Sequence, residues 1–256
     1  MAIRSPFESV DRAAHEIAAE WGVQLGQPFA SSQYAFVAPV GDHAVLKVTS
    51  PLDDEADEEI AALALWNGEG AVRLLRADPQ RRAMLLERAR PGHDLSALTG
   101  DEATSIAVGL TRRLWREAGN PFRWIGDHVP RWLEQADRAT NPARELIGLA
   151  RDLYRSLGVG RSTLVHGDLH HHNILAAAGG FVAIDPKPML GEREFDVPPF
   201  LWNPIAQRMT LELAQARLDA FTAVGLDQSR MRAWAVIRGA YLGVDQGDVD
   251  VLRALL

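Results

Sequence analysis

VHGDLHHHNIL, residues Val165 to Leu175, decides how this chain is read. Asp168 stands five residues before Asn173, and Asp185 closes an apolar run twelve residues after that asparagine. Transfer of a phosphoryl group needs little covalent help from a protein, which must align a hydroxyl nucleophile with the γ-phosphate and hold metal ions against charged oxygens. An aspartate fixed in a loop, as Asp168 would be, orients that hydroxyl and accepts its proton as the bond to phosphorus forms. Asn173 and Asp185 offer the hard oxygen ligands that magnesium prefers, because that ion is usually held by one or two side chains plus phosphates and waters. Between them, Ile174 to Ala178 and Phe181 to Ile184 flank Gly179-Gly180. Two short apolar runs about a Gly-Gly turn read as a β-hairpin, which would bring Asn173 and Asp185 to one end of the same two strands.

The competing reading of His170, His171 and His172 is a zinc site. Adjacent side chains diverge, however, and zinc ligands normally lie several residues apart and often include cysteine, of which the chain has none. A second constellation upstream favours phosphoryl transfer. Tyr34 to Val37 and His43 to Val48 read as strands about a Gly41-Asp42 turn, and Lys47 lies in the second, in the string AVLKV. Protein kinases carry their nucleotide lysine in such a strand, paired to a helix glutamate. After Pro51, the run Asp53, Asp54, Glu55, Asp57, Glu58 and Glu59 opens a helical pattern carrying Ile60, Leu63 and Trp66. Carboxylates suit a helix N-terminus, whose free N–H groups carry partial positive charge, and one of them can still face Lys47. Glu59, directly before the apolar face, is the choice; Glu58 and Glu55 stay open.

The order of strand lysine, helix glutamate, ERARPG at Glu87 to Gly92, VHGDLHHHNIL and AIDPKP at Ala183 to Pro188 resembles the aminoglycoside phosphotransferases, kinase-like enzymes of antibiotic resistance. GAVRLLRADPQRRAMLLERARPG from Gly70 to Gly92 and FDVPPFLWNP from Phe195 to Pro204 resemble the branch of streptomycin 6-phosphotransferases and hydroxyurea-type kinases. The resemblance runs from about Phe29 to the C-terminus. It implies Asp168 as catalytic base, Asn173 and Asp185 as Mg2+ ligands, Lys47 on the α- and β-phosphates of ATP with Glu59 as its partner, and Glu87, Arg88 and Ala89 as the hinge whose backbone pairs with adenine. Near Ala30 to Gln33 the glycine triplet of protein kinases is missing, so backbone N–H groups and the Ser31 and Ser32 hydroxyls are the expected phosphate cover. Pro186 follows Asp185 where protein kinases have phenylalanine, which fits small-molecule kinases.

The fold class expected is α+β and two-lobed, protein-kinase-like, with ATP at the hinge cleft: an N-terminal lobe of residues 1–90, a small antiparallel sheet with one crossing helix, and a mainly helical C-terminal lobe of residues 91–256 with the catalytic and metal loops. Ser5-Pro6-Phe7-Glu8 has the form of a capping box before a helix from Pro6 to about Glu20. Strands are expected at about Gln33 to Ala38, Ala44 to Thr49, Ala71 to Arg76 and Ala83 to Glu87 around a helix from Asp54 to Trp66. Further helices are expected at Asp101 to Ala118, Val129 to Arg138, Pro142 to Ser156, Pro198 to Trp202, Ile205 to Val224, Ser229 to Leu242 and Val249 to Leu255. His166 reads as a support of the catalytic loop, and Asp196 as the residue that ties that loop down.

With 256 residues and 47% hydrophobic content, the chain can bury a substantial core. No apolar run approaches the roughly 20 residues of a membrane helix, and MAIRSPFESVDRAA lacks a secretory core, so cytoplasmic residence is expected. The net charge of -7 argues against nucleic acid and for a cationic partner. A small hydroxylated substrate, streptomycin first, is therefore expected, with a metabolic kinase for an amino alcohol or sugar as the alternative and a pseudokinase scaffold behind it. Polar groups that could meet a guanidinium-bearing substrate are Asp127, His128, His170, Glu192, Glu194, Trp202, Asn203, Asp245 and Asp248.

Overall fold

The computed structural model describes residues 6–29, 34–53 and 57–256, with side chains in the first helix from Val10 onward. The capping box at Ser5, the serines Ser31 and Ser32, and Glu55 therefore lie outside the described residues. The chain divides into two units. The first comprises residues 1–93 and 175–187, and the second comprises residues 94–174 and 188–256.

In the first unit, helix α1 (Pro6–Trp21) precedes strands β1 (Ala35–Val40) and β2 (Ala44–Thr49), helix α2 (Glu59–Trp66), and strands β3 (Leu74–Asp78) and β4 (Ala83–Glu87). The strands form an antiparallel sheet in the order β1-β2-β4-β3. Side-chain alternation assigns its two faces. Phe36, Ala38, Leu46 and Val48 point to one face and build a core with Val10, Ala14, Ile17 and Ala18 of α1. Lys47, between Leu46 and Val48, must then point to the other. Helix α2 is described from Glu59, with Glu58 at its N-cap, while the expected start at Asp54 lies outside the described residues; Glu59 joins the buried stripe Glu59, Ala62, Leu63 and Trp66. That i, i+3, i+4, i+7 spacing is one helical face. Strand β3 begins at Leu74, later than expected, where its register on β4 shifts between Leu74 and Arg76.

The expected hairpin forms from β7 (Ile174–Ala177) and β8 (Gly180–Ala183). Its residues 175–187 group with the first unit, whereas the sequence reading keeps them in the helical lobe. Four backbone hydrogen bonds account for this: Val72 N–H to Ala183 O (3.0 Å), Ala183 N–H to Gly70 O (2.8 Å), Gly92 N–H to Ala176 O (3.0 Å) and Ala176 N–H to His93 O (2.9 Å).

The second unit holds α3 (Gly100–Leu114), β5 (Arg116–Glu117), α4 (Ile125–Arg138), α5 (Ile147–Leu157), β6 (Thr163–Val165), β9 (Met189–Gly191), α6 (Pro198–Leu201), α7 (Leu211–Thr222), α8 (Gln228–Leu242) and α9 (Gln246–Ala254). Thr99 and Glu102 make a reciprocal capping box at the start of α3. That helix stops four residues short of the expected Ala118, because Arg116 and Glu117 leave it to pair with Leu164 and Thr163 of β6. A three-stranded sheet, β5-β6-β9, results. Helix α7 begins at Leu211, where Thr210 caps it, rather than at Ile205. Helix α8 is buried without interruption from Ala233 to Ala240, which makes it a core helix rather than an amphipathic one.

Candidate active site

Residue parity on β2 and the stripe on α2 together produce the charged cluster of the first unit. Lys47 Nζ donates to both carboxylate oxygens of Glu59, at 2.7 and 2.8 Å, and to Asp185 Oδ1 at 2.5 Å. Lys47 and Glu59 are buried, while the Asp185 side chain is 54% exposed. Burial works against the Lys47 ammonium, yet the facing carboxylates of Glu59 and Asp185 outweigh it and hold its pKa above the usual lysine value. Burial pushes the Glu59 carboxyl up to about 7, with Lys47 pulling the other way. Lys47 is thus a protonated, three-point-bonded donor whose direction is set by its partners. Asp185 sits at φ 55, in the left-handed region that non-glycine residues rarely adopt, directly after the hairpin.

Arg88 donates its N–H to His43 O at 2.8 Å, on the β2 side of β4, and Glu87 donates its N–H to Arg73 O at 2.8 Å on the other. Backbone groups alternate along an extended strand, so of the three expected hinge residues Glu87, the last of β4, turns to the edge away from β2, and Arg88 does not.

The second unit carries the HGD loop. Strand β6 delivers the chain to His166, and Gly167 adopts φ 83, a conformation that favours glycine. Asp196, fully buried, accepts the N–H of His166 at 2.9 Å, the N–H of Gly167 at 2.7 Å and the indole N–H of Trp115 at 2.9 Å. His166 Nδ1 accepts the Asp168 N–H at 3.3 Å. Asn173 donates its side-chain amide to the Asp168 carbonyl at 2.9 Å, which leaves the asparagine oxygen as the acceptor that a hard cation needs. The three histidines go separate ways: His170 Nε2 lies 3.9 Å from Asp168 Oδ2, His171 stacks on Phe200 with ring centroids 4.0 Å apart, and His172 Nδ1 meets Asp94 Oδ2 at 2.6 Å. Among the described residues, no group of three or more His, Cys, Asp or Glu is disposed to hold a metal ion.

The polar residues expected near a substrate have varied surroundings. Glu192 is engaged by Arg230 and by the Trp234 indole N–H, and Glu194 accepts the Asp227 N–H at 3.1 Å. Asp245 caps α9 through the Asp248 N–H at 3.0 Å, and burial and the neighbouring Asp245 raise the Asp248 carboxyl above its usual range. Asn203 donates to Pro199 O at 2.9 Å, and Trp202 is half-buried beside it. These contacts hold the fold. Asp127 is exposed in the first turn of α4, and the His128 ring lies 5.5 Å from Trp132, itself 5.0 Å from Tyr241. Trp115, Asp94 and Arg238 had no signal in the sequence, because each acts on a partner distant along the chain.

A buried strand lysine paired to a helix glutamate, an aspartate behind a hairpin and an HGD loop held from below by a buried carboxylate define a kinase-like phosphotransferase. Residues 21–249 match the model of the aminoglycoside/hydroxyurea antibiotic resistance kinases, and the chain belongs to that family. It is 34% identical over 253 residues to a streptomycin 6-kinase of Streptomyces glaucescens, covering 91% of this chain and 82% of the relative. It is also 34% identical over 265 residues to a hydroxyurea phosphotransferase of Kitasatospora aureofaciens, covering 96% and 76%. The fold is shared with a thermostable mutant of aminoglycoside phosphotransferase APH(4)-Ia solved as a ternary complex with ADP and hygromycin B, at a TM-score of 0.60, 17% identity and 94% coverage of both chains. The protein is an ATP-dependent small-molecule kinase, and no helix among the described residues is long and apolar enough to cross a membrane.

Proposed function

We infer that this protein transfers the γ-phosphoryl group of ATP to a hydroxyl of a cationic aminoglycoside, the 6-hydroxyl of streptomycin, and so protects a cell from the antibiotic. The observation that carries this reading is the 34% identity to a streptomycin 6-kinase along 91% of the chain, combined with a charge of -7 that suits a guanidinium-bearing acceptor. Lys47, aimed by Glu59, donates to the α- and β-phosphates. Glu87 O and Ala89 N–H meet the adenine edge. Asp168 accepts the proton of the acceptor hydroxyl on a carboxylate oxygen and turns the alkoxide toward phosphorus. Asn173 Oδ1 and the exposed Asp185 carboxylate are each hard oxygens of the kind magnesium takes, and each would leave most of the ion's sphere to phosphates and water. Magnesium held there with ATP would supply neutralisation of the charge on the phosphate oxygens. Asp127, His128 and His170 are the candidates for the acceptor's polar groups, and a need for ATP puts the protein in the cytoplasm.

A second reading has its own support, since the hydroxyurea phosphotransferase match is equally identical. Hydroxyurea is small and uncharged, so the two acceptors separate cleanly. Purified protein given ATP and magnesium should release ADP with streptomycin, and phosphorus–proton NMR of the product should couple the new phosphate to the proton on carbon 6. ADP release with hydroxyurea alone would overturn the streptomycin assignment in favour of the second reading.

A further inference from the structure

Arg238 is a buried guanidinium on the core helix α8, and the phosphoryl-transfer reading gives it nothing to do. It makes no ion pair with a carboxylate among the described residues. Burying such a cation is costly unless its hydrogen bonds are well used. One face lies over the Phe195 ring, 4.2 Å from its centroid, and Trp234, one turn earlier on α8, holds that ring edge-on at 5.0 Å. Nη1 reaches the Phe195 carbonyl at 3.4 Å, and Nη2 donates to the Gly167 carbonyl at 2.9 Å. The second of these is the stronger contact, and it falls on the peptide that carries Asp168.

We propose that Arg238 is a positioning residue for Asp168, fixing the Gly167–Asp168 peptide plane and with it the direction of the carboxylate. The proposal rests on the reading of Asp168 as the base. Gly167 has no Cβ and stands at φ 83, so nothing in its own side chain limits rotation of the peptide that follows. Asp196 fixes the preceding side through the N–H groups of His166 and Gly167. That leaves ψ of Gly167, the angle that swings Asp168. Of the polar groups on that peptide, the Gly167 carbonyl accepts from Arg238 and the Asp168 N–H donates to His166 Nδ1 at 3.3 Å, while Asn173 holds the next carbonyl along. The Arg238 bond is shorter and charge-assisted, and bonds of that kind are roughly twice as strong as neutral ones. A buried anion and a buried cation thus meet the same glycine, one at its N–H and the other at its C=O.

The test uses Arg238→Lys, which keeps the charge, and Arg238→Met, which keeps the bulk, alongside Asp168→Asn, with streptomycin and hydroxyurea as acceptors. Arg238→Met should lower kcat roughly 10- to 100-fold, the scale of a misplacement of about an ångström. KM for ATP should stay within about twofold, because the nucleotide groups are untouched; Arg238→Lys should recover part of kcat. In an Asp168→Asn background the Arg238 changes should cost almost nothing more, since the group they aim is gone. Deuterium exchange of peptides spanning 166–173 should rise in Arg238→Met and partly revert in Arg238→Lys, a readout independent of any acceptor. Unchanged exchange in that segment, or an undiminished kcat in Arg238→Met, overturns the proposal. Full activity of Asp168→Asn overturns the base assignment instead, and the exchange data then decide by themselves whether Arg238 holds the loop.

Discussion

At the scale of single residues, the burial of Lys47 is what makes its direction informative. A lysine on a solvated strand samples many rotamers, whereas Lys47 is held by two oxygens of Glu59 and one of Asp185. Glu59→Gln keeps the shape and removes the charge, so it should raise KM for ATP and lower kcat. Glu59→Ala leaves a buried ammonium short of a partner and should cost about 3–5 kcal/mol of stability as well. Chemical denaturation alongside steady-state kinetics separates the two effects, and a Glu59→Gln enzyme with wild-type KM would refute the assigned pairing. For Asp168, the proposed base, Asp168→Asn should lower turnover by roughly two to four orders of magnitude with ATP affinity nearly unchanged. Calorimetric titration with ATP and a coupled ADP assay measure both.

His171 supplies a pH prediction. Burial, followed by the neighbouring Arg217 cation, holds its pKa far below 6.5, at about 3. The folded chain therefore refuses a proton that the unfolded chain accepts. Stability is full above the unfolded value of 6.5 and is lost as pH falls from there toward about 3, with a limiting slope on the order of 1.4 kcal/mol per pH unit. His171→Phe preserves the stack on Phe200 and removes the titration. Thermal midpoints at about pH 7.5 and about pH 5 should differ less for that variant than for the wild type, and an equal drop in both would exclude His171 as the source.

At the scale of elements, the two kinds of helix respond differently to change. Helix α2 buries one stripe, and its exposed side should tolerate substitution. Helix α8 is enclosed all round, and Gly239 lets α9 approach: a Cβ there would stand 2.5 Å from Leu252 Cδ1 and 3.3 Å from Val244 Cγ2. Gly239→Ala should therefore destabilise by about 1–3 kcal/mol through overpacking, in spite of alanine's better helix propensity. A denaturation midpoint equal to the wild type's would show that α9 yields freely. The hairpin, α1, β2, β4 and the end of α4 were legible because period-2 and 3.6 patterns run long enough there to be read. The β5-β6-β9 sheet was not, since strands of two or three residues carry no period.

At the scale of the molecule, Lys47, Glu59 and Asp185 satisfy one another's charge without an ion, so the fold should not wait for a metal, whereas the proposed chemistry does. Excess EDTA should abolish turnover and leave the thermal midpoint in place, with magnesium restoring the rate. A midpoint that falls with chelation would point to a structural ion.

The sequence by itself determined the class of enzyme, a small-molecule kinase, and the residues proposed to serve it. Asp168, Asn173 and Asp185 at fixed spacing, a lysine in a strand and an acidic run before a helix are local facts, and local spacing reaches the reader of a sequence directly. It also determined that Lys47 and its neighbours Leu46 and Val48 face opposite ways, because strand alternation admits no other outcome. Tertiary structure alone decided which carboxylate meets Lys47, that Asp185 comes to it across 138 residues, and that Arg238 reaches the Gly167 carbonyl across 71. It likewise gave Glu192 to Arg230 and Trp234. Such contacts are set by how closed surfaces pack and by the need to satisfy every buried charge, and those conditions have no expression in any one stretch of the chain.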